Sequence, residues 1–137
     1  MALKDAKALA PNDGWINSWL GYAYYRISNL QSARAVCEEG TVGFLNGFCL
    51  ALVYEKLGRH ADAQSMLANM RASWGDEGAV FYAMIFAEWG DTARALDSLE
   101  TAMRHRDAYL TFVRTRFDAL RKEPRFQAIE RALKFPD

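Results

Sequence analysis

The chain has few of the residue types that announce chemistry. Among 137 residues there are two histidines and two cysteines. His60 and His105 lie far apart, and neither has a Cys or His partner at metal-ligand spacing. His60, at the start of a helix, reads as a residue covering the turn. No nucleophile with an attendant base and no carboxylate pair stands out, and the nine glycines mark turns or helix crossings without forming a phosphate loop. The sequence therefore predicts no catalytic residue, no metal ligand and no cofactor site. Cys37 and Cys49 are too few for a disulfide framework and fall inside helical pattern, where a thiol behaves as a small hydrophobe, so a reducing, cytoplasmic setting is expected. No apolar run approaches the roughly eighteen residues that span a bilayer, and the N-terminus lacks a basic-then-apolar leader. Lys+Arg and Asp+Glu balance at 17 each, which removes the electrostatic case for nucleic acid. The basic residues Arg104, His105, Arg106, Arg114, Arg116, Arg121, Lys122 and Arg125 read as helix-end charges whose stems cover apolar surface.

What the chain does have is a pattern repeated three times. Leu20-Gly21 then Tyr24, Leu50-Ala51 then Tyr54, and Tyr82-Ala83 then Phe86 each open a unit. Ala33, Ala63 and Ala95 follow the small residue by twelve positions; Cys37, Leu67 and Leu99 come four later, and Gly40, Met70 and Ala102 three after that. Between units the spacing drifts, from 30 residues (Gly21 to Ala51) to 32 (Ala51 to Ala83). A constant helix-turn-helix hairpin joined by variable loops is the mark of a solenoid. The period places helices at about Gly14–Ile27 and up to Glu39, Val42–Leu57 and His60–Ala72, then from Asp76 (as N-cap) to Trp89 and from Asp91 to near Arg104. Gly58 is expected to end its helix in the left-handed conformation. The small residues let paired helices approach closely, and the large ones fill the flanks.

The pattern Leu-Gly-x-x-Tyr followed by Ala-x-x-x-bulky-x-x-Ala resembles the tetratricopeptide repeat, with Leu50 to Gly58 its closest stretch. The resemblance covers residues 14 to about 107 and implies an all-α fold, a right-handed α-solenoid of antiparallel hairpins at 14–43, 44–75 and 76–107, within one domain spanning 1–137. Residues 1–12 read as the end of a truncated repeat, closed by Pro11, which suggests a longer array. Residues 108–137 read as a helical cap, with Pro124 in the first turn of a last helix and Phe126, Ile129 and Leu133 as its apolar stripe. This tail resembles those closing such regions in bacterial multidomain transcriptional regulators and signalling enzymes.

In that family the first helices of successive hairpins line a concave face. The corresponding positions are Trp15, Ser18, Tyr22 and Tyr25, then Leu45, Phe48, Leu52 and Lys56, then Glu77, Val80, Met84 and Glu88. The family's carboxylate clamp of Lys, Asn and Arg is not reproduced there, so the resemblance implies a protein or peptide partner that buries apolar side chains, such as an amphipathic helix. Three other occupants fit the same face: the chain's own tail or missing repeats, a second copy forming a homodimer, and a small ligand sensed by a regulator. The expectation is a non-catalytic interaction scaffold, with neither nucleic acid nor membrane as partner.

Overall fold

The computed structural model describes residues 14–39 and 44–133, and among these every regular element is helical. They are α1 (Gly14–Arg26), α2 (Leu30–Glu39), α3 (Phe44–Lys56) and α4 (His60–Trp74), a 3-10 turn at Gly75–Gly78, α5 (Ala79–Glu88) and α6 (Thr92–Arg104). Further 3-10 segments at Ala108–Phe112 and Asp118–Leu120 flank α7 (Val113–Arg116), and α8 (Pro124–Leu133) follows. The reading of residues 1–12, the loop 40–43 and the last four residues lie outside the described residues. The chain forms two compact units, Met1–Ser73 and Trp74–Asp137, whose boundary falls beside the one the repeat spacing sets between the second and third hairpins.

The turns α1-α2, α3-α4 and α5-α6 share one main-chain ladder. The amides of Asn29, Arg59 and Asp91 donate to the carbonyls of Tyr24, Tyr54 and Phe86, at 2.9, 2.8 and 2.8 Å. One residue earlier, Ser28, Gly58 and Gly90 donate to Tyr25, Glu55 and Ala87. These paired bonds satisfy the orphan carbonyls of each first helix, and they require a left-handed residue between. Gly58 (φ 80°) and Gly90 (φ 82°) supply it without strain. Ser28 adopts it at φ 62° despite its Cβ, at a cost of about 1 kcal/mol. The carbonyls of Asn29, Arg59 and Asp91 then accept from the amides of Ala33, Ala63 and Ala95, starting the second helices. Asn29 Oδ1 and Asp91 Oδ1 add side-chain caps on Ser32 and Arg94.

The small residues of the pattern sit where helices meet. Ala33, Ala51, Ala63, Ala83 and Ala95 have no exposed surface. In the first unit α2 packs on both α1 and α3, and α1 on α3. A Cβ added to Gly47 of α3 would lie 3.0 Å from Met70 Cγ, a close approach of α3 to α4. In the second unit α5 packs on α6, the segment Ala108–Phe112 packs on both, and α8 packs on α6. Phe126 and Ile129 of α8 are buried, while Leu133 is half-buried.

The start of α5 departs from the sequence reading. Asp76 does not cap that helix; it lies within the 3-10 turn, and its main-chain carbonyl accepts from Ala79 N–H. Its carboxylate instead lies 3.4 Å from His105 Nε2. Tyr82 Oη donates to the Gly75 carbonyl at 2.7 Å, fixing the turn against α5.

Candidate interaction site

The face assigned to a groove can be followed residue by residue. On α1 and α3 the aromatic side chains form one cluster: Trp19 meets Tyr22 edge-on at 5.8 Å between ring centroids, Tyr22 stacks on Tyr25 at 6.2 Å, and Phe48 lies 5.6 Å from Tyr22 and 6.3 Å from Trp19. Tyr22, Tyr25, Phe48 and Leu52 are buried, the last two at 1% exposure, whereas Trp19 is half-buried and Lys56 is exposed. The side chains of Trp15, Ser18 and Leu45 lie outside the described residues. On α5, in the second unit, Val80 (0%) and Met84 (2%) are core residues, Glu88 is half-buried, and Glu77 is exposed on the preceding turn.

These positions correct the expectation of an open apolar groove. Six of the expected lining residues, Tyr22, Tyr25, Phe48, Leu52, Val80 and Met84, are packed interior. The sequence carried a signal for the last two. From Ala79 to Ala87 the chain is apolar without a break, and a helix that is apolar on every side is a buried helix.

Beside the aromatic cluster stands a feature the sequence reading did not anticipate. Cys37 of α2 and Cys49 of α3 form a disulfide, with a Cα–Cα distance of 6.2 Å, and both are fully buried. The expectation of two free thiols is thereby corrected, and the argument it supplied for a reducing compartment falls with it. No described helix is long and apolar enough to cross a membrane. Cys37 does occupy the core slot filled by Leu67 and Leu99 elsewhere. Gly21 of α1 faces the bond: a Cβ there would collide with Cys37 Sγ and lie 2.7 Å from Cys49 Sγ.

A polar tie flanks the disulfide. Tyr54 Oη of α3 donates to Glu38 Oε1 of α2 at 3.1 Å, and Arg34 Nε donates to the same oxygen at 2.8 Å. The Arg34 guanidinium, with help from the Tyr54 hydroxyl and against partial desolvation, holds the Glu38 carboxyl below its ordinary pKa. Burial, followed by the Glu38 carboxylate, raises the Tyr54 phenol. The Arg59 guanidinium lies over the Tyr54 ring at 4.2 Å and donates to Asp62 Oδ2 at 2.8 Å.

The second unit has its own cluster. Phe81 of α5 meets Tyr109 at 4.9 Å and Phe112 at 6.1 Å, both edge-on. Arg125 of α8 clamps two carboxylates of α6, reaching Glu100 Oε1 at 2.6 Å and Asp97 Oδ1 at 2.7 Å. The two histidines each face one carboxylate at the surface, His60 that of Glu55 and His105 that of Asp76. Among the described residues no three His, Cys, Asp or Glu side chains gather as a metal site.

No family model, curated relative or solved structure matches the chain. Its functional reading therefore rests on its own residues.

Proposed function

We propose that the chain is a non-catalytic protein-interaction module of the tetratricopeptide kind, a right-handed α-solenoid of antiparallel hairpins. The observation that carries this reading is the shared turn ladder: three helix pairs use the same carbonyls and amides at the same offsets from the same small and aromatic residues. Such repetition builds a regular surface, and function on such scaffolds lies in what that surface holds. The partner is a protein segment, apolar or amphipathic. It rests on the α1-α3 face, where the half-buried Trp19 and the exposed Lys56 offer an aromatic edge and a charge above the packed floor of Tyr22 and Phe48.

Peptide display against the immobilised chain tests this. Amphipathic peptides should be enriched over bare support, and they should lose binding to Lys56→Glu and Trp19→Ala variants that melt as folded proteins. Equal binding to both variants, or no enrichment, would overturn the reading. Light scattering at two concentrations separates out self-association, which would appear as a mass rising above 15.5 kDa.

A further inference from the structure

We propose that Cys37 and Cys49 form a buried thiol–disulfide site that latches α2 to α3, so that the packing of the first unit depends on redox state while that of the second does not. Both cysteines of the chain are consumed in this one bond. The 6.2 Å between their Cα atoms lies within the range a disulfide bridges without backbone movement. The surroundings are shaped to the bond as well. At the register of Gly21 the other two helix pairs carry Ala51 and Ala83; at that of Cys37 they carry Leu67 and Leu99; at that of Cys49, the chain elsewhere has Trp19 and Phe81. The first helix pair thus exchanges a leucine for Cys37 and an alanine for Gly21, and the second exchanges a large aromatic for Cys49, so that the glycine leaves room beside the two sulfurs.

The bond links successive helix pairs, α1-α2 to α3-α4, and not the two members of one pair. It therefore acts at a junction held otherwise by packing and by the adjacent Glu38–Tyr54 hydrogen bond. Opening it is a thiol–disulfide exchange with a small-molecule thiol. The thiolate attacks one cysteine sulfur, the S–S bond breaks, and the other cysteine leaves as a thiolate that takes up a proton. A second thiol attacks the mixed disulfide and frees the first cysteine, so two thiols become one small disulfide and the protein gains two S–H groups. Because both cysteines are fully buried, an attacking thiol reaches them only when α2 moves away from α3. Exchange is then slow and follows local opening. Once reduced, the two sulfurs require van der Waals separation, and the α2-α3 contact loosens.

The test equilibrates the whole chain in oxidised and in reduced glutathione, counts cysteines by alkylation in denaturant with mass spectrometry, and follows amide hydrogen exchange. The oxidised pool should carry no adduct and the reduced pool two. Protection over Leu30–Lys56 should fall on the order of tenfold or more on reduction, with Ala79–Arg104 unchanged. The double variant Cys37→Ala with Cys49→Ala should show the reduced profile in either buffer; if it does not fold, the reductant series on the parent chain decides alone. Two adducts in the oxidised pool would overturn the proposal, as would equal protection in both states or an equal loss in both units.

Discussion

Gly21 is the residue where the least change has the largest expected effect. Gly21→Ala restores the alanine of the other two helix pairs, yet its Cβ would occupy space held by the two sulfurs. The main chain must shift to admit it, and melting should show a loss of about 1 to 3 kcal/mol. In the background lacking both cysteines the same substitution should cost far less, and a loss of equal size there would refute the coupling. Phe48→Glu with Leu52→Glu tests the burial of the expected groove. Charges placed at two 1%-exposed positions should destabilise the fold by several kcal/mol, measured by denaturant unfolding, whereas near-parental stability would return these residues to an open face. Ala63→Trp, at a site with no exposed surface, should cost about 1 to 3 kcal/mol or more through overpacking. The burial of Ala63 was legible from its place in the repeat. The disulfide was not: twelve positions of separation across two helices say nothing of the distance between Cα atoms until the helices are packed.

At the scale of elements, the turns were the most readable part of the chain. Gly58 and Gly90 advertise left-handed positions by lacking a Cβ, and Ser28-Asn29 interrupts the first helix at the same register. Ser28→Gly should therefore stabilise the α1-α2 turn by about 0.5 to 1 kcal/mol, seen as a higher denaturation midpoint. The start of α5 was misleading because Asp76 has the side chain of a cap but spends its carboxylate on His105 and leaves the helix to its carbonyl. The Glu38–Tyr54 tie between α2 and α3 has a definite pH window. The Glu38 pKa is lowered in the folded chain, so its contribution is present above the unfolded value near 4.5 and is lost as pH falls through the folded value. The Tyr54 pKa is raised, so its contribution is full below about 10 and is lost as pH rises through the folded value. Tyr54→Phe should flatten the alkaline end of the stability–pH profile and only lessen the acid dependence, most of which the Arg34 guanidinium sets, and an unchanged profile would show that this hydrogen bond carries none of the dependence.

For the whole molecule, helix placement followed from periodicity, while the surface that each helix presents did not. Periodicity says that α1 and α3 each have an apolar side. Which of their remaining side chains meet water is decided by every element packed on them, and here Tyr22, Tyr25 and Phe48 belong to the interior. The repeat spacing sets a hairpin boundary beside Ser73 and Trp74, but the same pattern continues on both sides and gives no sign that the chain, expected as one domain, divides there into two compact units. Among the described residues the large hydrophobic side chains that stay exposed are Ile27, Trp74 and Tyr109, which are scattered along the sequence, and such isolated residues do not by themselves drive association. Light scattering should accordingly return a mass near 15.5 kDa at both low and high concentration.

The mutual fit of Gly21, Cys37 and Cys49 also couples the tolerance of one position to the state of the other two. A methyl group at position 21 and the closed bridge compete for the same space, so alanine there weakens the bridge and the bridge disfavours alanine. The choice between two small residues, ordinarily a minor one in a helix, is thereby tied to the oxidation state of two sulfurs on neighbouring helices.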